Sequence, residues 1–459
     1  MQQTINKNIR FHGEGIHTGV LTSMQLKPAR ENTGIRFIRI DKKNKPEVKA
    51  DIINVFSTKR STCLKKGNIE VHTVEHILAA ITGAQIDNVI IEIDNIEIPI
   101  LDGSAQQFSN KIEKVGIRIQ KAKKKYFEIT QPINFKDSET GTEFIATPAD
   151  NYTLDVNIDY NSKILGLQNA QLEKISDFKK EIASSRTFCF LHELEYLLEK
   201  QLIKGGDVNN AIIIVENKIS NTKLSKLKKV FNNSEIQINS GYLNNINLRH
   251  KNEPARHKLL DIIGDLSLLG RPIKGKIKAF KPGHKNNIKF AKKLKKMMKE
   301  KEEKTAPKIN FEKKPLYNKD KIKDILPHRD PFLFVDEIRD IGEDFIIGVK
   351  FVKSEEEYFK GHFPEEPVMP GVLQLETMAQ TGGVLILSTV ENPKDYLTFF
   401  MKIDNAKFKQ KVIPGDTIIF RLNLISPIRR GLCHMHGVGF VDGKIVVEAD
   451  LLAQIAPKK

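Results

Sequence analysis

The sequence predicts an α+β protein: two similar strand-and-two-helix regions, a charged linker, and a final segment with one long helix and long strands. Two observations point to this class. Short β-branched runs with alternating apolar residues recur along the chain, and stretches with the apolar spacing of amphipathic helices lie between them. A chain of 459 residues has room for about two to four domains. We expect boundaries at 1–122, 123–300, 301–315 and 316–459.

Residues 1–122 carry the elements of the first region. TSMQLKP and GIRFIRID are typical of strands, and NVIIEIDNIEIPI from Asn88 alternates strongly. An amphipathic helix follows Thr73, a residue type that caps helices, and a second helix follows Ser104.

Residues 123–300 present the same order. The strands YFEITQPINF and YTLDVNIDY come first, and a polar insertion follows. A helix near Pro254 and a Lys-rich helix from Ile288 to Lys299 complete the region. The shared order predicts a structural duplication, although the residues themselves show no clear repeat.

The remaining segments differ in character. Residues 301–315 are charged and lack periodicity, which is typical of a linker. In 316–459, a helix over 371–391 is followed by four strand-like runs, DYLTFFMKIDNAKFK, DTIIFRLNLIS, GLCHMHGVGFV and KIVVEADLLAQI.

The chain is strongly basic, with a formal net charge of +17 from 74 Lys and Arg against 57 Asp and Glu. Residues 285–308 hold ten Lys against three Glu. Such a balance suits an anionic membrane, nucleotide phosphates or an acidic protein, and it also fits a solvated Lys-rich surface. We expect no nucleic-acid partner, because the sequence has no zinc finger, aromatic RNA-binding motif or arginine cluster.

The cysteines indicate a reducing compartment. Cys63, Cys189 and Cys433 are odd in number and form no CxxC pair, so we expect a cytoplasmic protein. The start, MQQTINKNIRFHG, lacks the apolar core of a signal peptide, and no stretch approaches the roughly 20 apolar residues of a membrane span. The sequence therefore predicts at most peripheral membrane contact.

One helix carries a polar stripe. In PARHKLLDIIGDL, His257, Asp261, Gly264 and Asp265 are spaced i, i+4, i+7 and i+8, which places them on one face. A His and an Asp at i and i+4 can bind one metal ion, but most such pairs lie on a solvated face. The pair needs a further ligand before it predicts a metal site.

Two other motifs supply candidates. In TVEH, His76 offers a third ligand, and the adjacent Glu75 offers a carboxylate that can take a proton from water. In KPGH, His284 stands on a Gly-Pro loop and can donate a proton to a leaving group. Together the three motifs predict metal-assisted hydrolysis.

These motifs, with GEGIHTG, SSRTFCF and IDNIEIPILDGSA, closely resemble those of the UDP-3-O-(3-hydroxyacyl)-N-acetylglucosamine deacetylases of lipid A biosynthesis. The resemblance covers about residues 1–300. It implies a zinc-dependent amide hydrolase of two similar α+β subdomains, with one Zn²⁺ bound by His76, His257 and Asp261. Iron would also suit His and Asp ligands.

The same resemblance implies roles for further residues. Glu75 acts as the general base, and His284, oriented by Asp265, assists the departing amine. Thr187 helps to hold the oxyanion, and Lys258 faces charge at the reaction centre. The insertion around 185–215 forms the passage for the acyl chain. The substrate-binding residues implied are Lys281 and Phe188.

A second constellation lies in GHFPEEPVMPG. Its Pro and Gly residues fix His362 on a rigid loop, and Pro370-Gly371 opens a helix that carries Glu376. The backbone N–H groups at this helix start can polarise a carbonyl. A structural loop capped by a histidine is an equally good interpretation of these residues alone.

The stretch LPHRDPFLFVDEI…YFKGHFPEEPVMPGVLQLETMAQ closely resembles the 3-hydroxyacyl-ACP dehydratases of type II fatty acid synthesis, where ACP is acyl carrier protein. The match covers about residues 316–459. It implies the hot-dog fold, dimers assembled as a trimer of dimers, and sites that pair His362 of one protomer with Glu376 of the other. His362 removes the proton beside the thioester, Glu376 protonates the departing hydroxyl, and the Gly371 N–H holds the thioester oxygen. His328, in LPHRDP, is expected to be structural.

The two resemblances predict a bifunctional enzyme, a zinc-dependent hydrolase fused to a lyase. Its expected partners are acyl carrier protein, a UDP-sugar lipid precursor and further copies of the chain. In an alternative interpretation, one half is an inactive scaffold for oligomerisation or regulation. The intact sets of candidate catalytic residues in both halves argue against this alternative.

Overall fold

The chain divides into two units, Met1–Lys296 and Met297–Lys459. The computed structural model describes residues 1–194, 210–217, 219–230, 236–239, 241–243 and 247–458. The first unit contains two α+β regions, and the second contains one antiparallel sheet with a long helix.

The first region begins with a five-stranded sheet. Its helices are α1 (Glu75–Gly83) and α2 (Gln106–Val115). Its strands are β1 (Gln3–Ile5), β2 (Ile9–Glu14), β3 (Leu21–Pro28), β4 (Ile35–Arg39), β5 (Glu47–Lys49), β6 (Val55–Ser57), β7 (Cys63–Lys66), β8 (Ile69–Val71), β9 (Val89–Ile93) and β10 (Ile117–Ile119). The sheet order is β2-β3-β9-β4-β5, with β9 and β4 parallel and the other neighbours antiparallel. β6, β7 and β8 form a small separate sheet.

The second region is built on the same plan. Its helices are α3 (Phe178–Glu181), α4 (Asn221–Val230), α5 (Glu253–Ser267) and α6 (His284–Glu303). Its strands are β11 (Phe127–Glu128), β12 (Ile133–Asp137), β13 (Thr142–Thr147), β14 (Tyr152–Ile158), β15 (Gln168–Leu172), β16 (Phe188–Phe190), β17 (Ile212–Ile214), β18 (Ile238–Asn239), β19 (Tyr242–Leu243) and β20 (Ile273–Phe280). The main sheet runs β12-β13-β20-β14-β15, with β20 and β14 parallel, and β11 adds to β20.

The two main sheets have identical topology, which confirms the predicted duplication. In each, a helix (α1 or α5) leads into the last strand (β9 or β20), which enters the middle of the sheet, and a second helix (α2 or α6) follows. In each, a small extra sheet is inserted between the fourth strand and that first helix. The duplication therefore exists in topology and not in residue identity, because packing needs only apolar residues at matching positions.

The first helices of the two regions pack against each other. α1 and α5 approach so closely that a Cβ atom on Gly264 would lie 2.2 Å from the backbone oxygen of Glu75. Glycine at 264 is therefore what lets α5 approach the start of α1. The apolar residues beside it, such as Leu260 and Ile263, are fully buried.

Several helix ends differ from expectation. Thr73 does not cap α1; it adopts φ +58° and donates from Oγ1 to Glu97 Oε1 at 2.8 Å. Ser104 does act near the start of α2, because its Oγ accepts from the Gln106 N–H at 3.2 Å. The Lys-rich helix α6 is longer than Ile288–Lys299, and its last residues occupy the start of the segment 301–315. Favourable helix propensity of Lys and Glu explains this extension.

In the second unit, one long helix packs on an antiparallel sheet. The helices are α7 (Lys319–Ile325) and α8 (Gly371–Leu387), so α8 ends four residues before the predicted 391. The strands are β21 (Glu337–Ile341), β22 (Phe345–Phe351), β23 (Tyr396–Phe408), β24 (Thr417–Leu424), β25 (Leu432–Val441) and β26 (Lys444–Pro457). Their order is β21-β22-β24-β25-β26-β23. Met378 and Leu387 of α8 share one apolar core with Phe420 and Leu422 of β24, as the expected hot-dog fold requires.

Among the helices of the described residues, none combines the length and the apolar character needed to cross a membrane.

Candidate active sites

Three predicted metal ligands converge where α1 meets α5. His76 is the second residue of α1, and His257 and Asp261 lie one turn apart on α5. All three side chains are buried, and their ligand atoms lie within 4.8 Å of one another. Asp261 Oδ1 is 3.5 Å from His257 Nε2 and 4.0 Å from His76 Nε2.

The donor atoms of this cluster fit a divalent metal ion. Ligands of a tetrahedral site with bonds of about 2.0–2.2 Å lie roughly 3.4 Å apart, close to the observed separations. Asp261 Oδ1 is buried and makes no hydrogen bond within the described residues, which leaves it available to a cation. His257 Nδ1 donates to the Ser185 carbonyl at 3.1 Å, and its Nε2 therefore faces the cluster as an acceptor.

Burial keeps the two imidazoles in the form that binds metals. It lowers the pKa of His76 to about 3 and also lowers the pKa of His257. Both rings are therefore neutral near pH 7, as ligands must be.

Glu75 and His284 stand beside the cluster. His284 Nε2 is 3.8 Å from Glu75 Oε1 and 3.8 Å from Asp261 Oδ2. The Thr62 N–H donates to Glu75 Oε2 at 3.0 Å, so this carboxylate is fixed from the far side. Burial raises the pKa of Glu75 to about 8. A carboxylate with such a pKa can both take up and release a proton near neutrality.

Asp265 orients His284. Its Oδ2 accepts from His284 Nδ1 at 2.9 Å and from Asn287 Nδ2 at 2.8 Å. Burial opposes the charge on His284, but the carboxylates of Asp265 and Asp261 outweigh it and raise the pKa to about 10. The imidazole is therefore charged at neutral pH, with Nε2 directed to Glu75 and Asp261.

Lys258 and Phe188 form one wall of the site. Lys258 Nζ is 2.8 Å from Asp261 Oδ2 and 5.3 Å from the centroid of the Phe188 ring. The Phe188 ring lies edge-on to that of His257, with 6.3 Å between centroids. Burial opposes the ammonium charge, but Asp261 beside it raises the pKa of Lys258, so the lysine stays charged.

Two predicted residues contact other parts of the first unit. The Thr187 N–H donates to the Gly103 carbonyl at 2.8 Å, which ties the insertion to the LDG turn. Lys281 Nζ is paired with Asp159 Oδ2 at 3.1 Å, and neither Thr187 nor Lys281 bonds to the metal ligands within the described residues.

Sequence reasoning missed three residues of this site, Thr62, Tyr160 and Asn287, and it gave no role to Ser185 of the SSRTFCF motif, whose carbonyl accepts from His257. Thr62 binds both Glu75 and Asp265, and Asn287 binds Asp265. Tyr160 packs on Phe188 with 5.6 Å between ring centroids. Each is an ordinary polar or aromatic residue in its local sequence, so no spacing pattern could have identified it.

The second candidate site is a cavity of about 200 Å³ between α8 and the sheet of the second unit. Glu376 lines it, together with His328 and mostly apolar residues. Glu376 Oε1 accepts from Gln380 Nε2 at 3.0 Å, and His328 Nε2 lies 3.5 Å from the same oxygen. The histidine expected to be structural therefore stands beside the predicted acid.

The structure does not place His362 in this cavity. His362 Nδ1 donates to the Val368 carbonyl at 2.7 Å, and the ring stacks on Phe363 with 4.1 Å between centroids. Gly371 opens α8 as predicted, and the Phe408 ring lies so close that a Cβ on Gly371 would be 2.7 Å from it. His362 and Glu376 have no mutual contact among the described residues of one chain.

Comparison with known proteins finds relatives for both halves of the chain. A family model described as UDP-3-O-acyl N-acetylglycosamine deacetylase (LpxC) matches residues 2–231 and 229–296, and a FabA-like domain model matches 326–450. Proteins named bifunctional enzyme LpxC/FabZ from Porphyromonas gingivalis and Bacteroides thetaiotaomicron are each 45% identical over 100% of this chain and 99% of their own.

A single-function relative matches the first half alone. The UDP-3-O-acyl-N-acetylglucosamine deacetylase of Syntrophotalea carbinolica is 36% identical over 64% of this chain and 87% of its own. The bifunctional relatives instead align with both halves of this chain. The chain therefore belongs to the bifunctional LpxC/FabZ enzymes, with a deacetylase region followed by a FabA-like hot-dog domain.

Proposed function

We propose that the first unit removes the acetyl group from UDP-3-O-(3-hydroxyacyl)-N-acetylglucosamine and that the second dehydrates (3R)-hydroxyacyl-ACP to trans-2-enoyl-ACP. The observation that carries the first assignment is the buried cluster of His76, His257 and Asp261 with Glu75 and His284 beside it. The names of the relatives supply the substrate class, and the cavity holding Glu376 supports the second assignment.

We assign Zn²⁺ as the metal, because two neutral imidazoles and one carboxylate form a donor set that zinc accepts in catalytic sites. Zn²⁺ held by His76, His257 and Asp261 would polarise the amide carbonyl and lower the pKa of a coordinated water. Asp261 also pairs with Lys258, so the charge balance of the site depends on both residues.

Glu75 and His284 move the protons of the deacetylation. Glu75 takes a proton from the attacking water, the C–N bond breaks, and the departing nitrogen receives a proton. His284 is charged at neutral pH and supplies that proton from Nε2, while Asp265 holds Nδ1. The water oxygen forms the new bond to the acetyl carbon, so the first products are acetic acid and the free amine, while Glu75 has gained one proton and His284 has lost one. The acid then gives its proton to solvent to become acetate, and return of the proton from Glu75 to His284 restores the site.

The remaining predicted residues line the reaction centre in this proposal. The ammonium group of Lys258 and the side chain of Thr187 stabilise the developing oxyanion. Phe188 contacts the acyl chain. To bind a substrate phosphate, Lys281 would have to break its ion pair with Asp159. The acyl passage predicted for 185–215 is only partly described, because residues 195–209 lie outside the described residues.

The dehydration needs a base, an acid and an oxyanion donor. His362 removes the proton from C2, electrons of that bond form the C2=C3 double bond, and the hydroxyl on C3 leaves as water with a proton from Glu376. The Gly371 N–H, at the start of α8, holds the thioester oxygen. No metal is needed, because the thioester already acidifies C2.

A second copy of the chain completes this site in our proposal. β23 lies at the end of the sheet and is 13 residues long. Its side chains include Phe399, Met401 and Phe408, which are 52%, 57% and 52% exposed. A long apolar edge strand is a ready surface for pairing with an identical strand. We propose dimers formed there and assembled as a trimer of dimers.

Acyl carrier protein and the UDP-sugar precursor are the proposed partners, and the cytoplasm is the proposed location. Exposed Lys409 and Lys411 follow β23, form surface ion pairs with Glu448 and Glu366, and suit an acidic carrier protein. Cys63, Cys189 and Cys433 are all free thiols, which agrees with a reducing compartment.

Parallel assays of one preparation test the proposal. Purified full-length chain is given the UDP-sugar substrate and a 3-hydroxyacyl carrier protein, and acetate release and dehydration are measured. Glu75→Ala should abolish the first reaction alone, and Glu376→Ala the second alone. Absence of either reaction from the parent chain would instead support the scaffold interpretation for that half.

A further inference from the structure

His328 has no part in the dehydration described above, yet its Nε2 lies 3.5 Å from Glu376 Oε1 inside the second cavity. We propose that His328 is a positioning residue for Glu376. His328 and Gln380 both face Oε1 of the Glu376 carboxyl group, so Oε2 is the oxygen that gives the proton to the leaving hydroxyl. This inference rests on the proposed dehydratase function and deepens it.

The direction of the Gln380 hydrogen bond is set by the backbone. Gln380 Oε1 accepts from the Phe334 N–H at 2.8 Å, so the amide nitrogen must face the other way. That nitrogen donates to the Phe332 carbonyl at 2.7 Å and to Glu376 Oε1 at 3.0 Å. Gln380 therefore acts only as a donor toward Glu376.

The loop that carries His328 is held on both sides. Arg329 Nη1 donates to the Leu326 carbonyl at 2.9 Å, and Asp330 pairs with Lys319 at 3.0 Å and Lys323 at 2.9 Å. The His328 ring stacks on that of Phe332, with 6.4 Å between centroids. The imidazole is therefore fixed in place before substrate arrives, as a positioning residue must be.

The state of the imidazole fits a donor role. Burial lowers the pKa of His328, so the ring is neutral and carries one N–H. Beside a carboxylate that N–H belongs on Nε2. His328 Nδ1 is then a bare acceptor, and it is buried without a partner within the described residues. A histidine with a purely structural role is expected to bond both nitrogens, because an unpaired buried acceptor is destabilising.

Two nitrogens face the same carboxyl oxygen and decide where the acid proton lies: Gln380 Nε2, which donates to Oε1 at 3.0 Å, and His328 Nε2, which approaches it to 3.5 Å. With Oε1 facing both donors, the proton of the neutral acid sits on Oε2, which makes no hydrogen bond to the described residues. When Oε2 gives this proton to the hydroxyl on C3 and water departs, Glu376 becomes a carboxylate. The same two donors then stabilise the charge that has formed, so they assist the transition state more than the ground state.

Two substitutions of His328 in the full-length chain test this role. His328→Leu removes the donor and should lower kcat of dehydration about tenfold while KM stays within about twofold. His328→Gln keeps an N–H donor at a similar reach and should recover most of that loss. The deacetylation rate of the same preparation is the internal control. The proposal would be overturned if the Leu and Gln variants lost the same share of kcat, or if the substitutions changed KM alone.

A double-substitution cycle shows whether His328 acts through Glu376. In a Glu376→Gln background, His328→Leu should cause no further loss in the residual rate, whereas an independent contribution would reduce it by the full tenfold again. A parent chain that does not dehydrate, or a Glu376→Gln variant as active as the parent, would refute the dehydratase function itself. An active parent with an unaffected His328→Leu variant would refute only the role of His328.

Discussion

The two candidate sites both use histidine and carboxylate side chains, but the chain brings these residues together by different routes. In the first unit, two repeated regions of one chain each bring a helix, and the site forms where α1 and α5 meet. In the second unit, one chain places Glu376 in the cavity and leaves His362 outside it. In the first unit, the second set of site residues comes from the duplicated region of the same chain. In the second unit, the missing histidine would come from a second copy of the chain.

This difference has a physical reason. Metal ligands need donor atoms within a few ångströms of one point, and two helices joined in one fold hold them there without any cost of association. In the second unit, β23 pairs with β26 on one side and exposes several apolar side chains at the end of the sheet. The proposed catalytic residues of this unit stand on separate elements, a loop and α8. Association of two chains would bury that strand and bring the two residues together.

Removal of a metal ligand should have the largest effect. His76→Ala is expected to lower deacetylation more than about 1,000-fold and to abolish the bound metal, because the donor set loses one of three ligands. Acetate release and metal content measured on the same sample check this. Dehydration should be unchanged, and His12→Ala, at an exposed histidine of β2, should change neither. Full metal content in His76→Ala would contradict the assigned ligands.

Mixing of inactive chains should separate the two routes. If the dehydratase site is shared, a co-refolded mixture of His362→Ala and Glu376→Gln chains should recover about a quarter of the parent rate. Half of randomly formed dimers are mixed, and each mixed dimer has one intact site. The matching mixture of His76→Ala and His257→Ala chains should recover no deacetylation, because its ligands come from one chain. Recovery in the second mixture, or none in the first, would reverse the comparison.

The pH dependence of deacetylation should reflect burial at the first site. Glu75 must be ionised to act as the base. Its pKa of about 8 means that the rate should fall on the acidic side of the pH–rate profile at a higher pH than an ordinary carboxylate would give. His284 must be protonated, and its pKa of about 10 places the alkaline limb there. Asp265→Asn removes the carboxylate that raises the pKa of His284, so the alkaline limb should move to lower pH. An unmoved limb would show that another group titrates.

Gly264 should be a smaller, structural test of the first site. Gly264→Ala places a Cβ 2.2 Å from the Glu75 oxygen, so α5 must shift from α1. We expect a loss of about 1–3 kcal/mol in the free energy of unfolding, with reduced deacetylation. Thermal unfolding gives the first value. Gly283→Ala is the matched control for stability, because a Cβ there has nothing within 4 Å.

Local sequence determined much of this protein. The helix with Pro254 near its start and Gly270 beyond its end, the two alternating strand sets and the stripe of His257, Asp261 and Asp265 follow from spacing and propensity alone. These features depend on residues within one or two turns of each other. The motifs that carry the other candidate residues of the first site are equally short. Their residue types suggested metal ligands and proton-transfer groups, and their resemblance to a known deacetylase family supplied the roles.

Only the tertiary structure decided the rest. Thr62 and Asn287 reach the first site, and Gly264 lies where α5 packs closely on the start of α1, because segments distant in sequence meet there. His328 stands beside Glu376 for the same reason, since the loop before β21 and the middle of α8 line one cavity. Spacing along a chain reports neighbours within one element, whereas contacts between elements depend on how apolar faces pack.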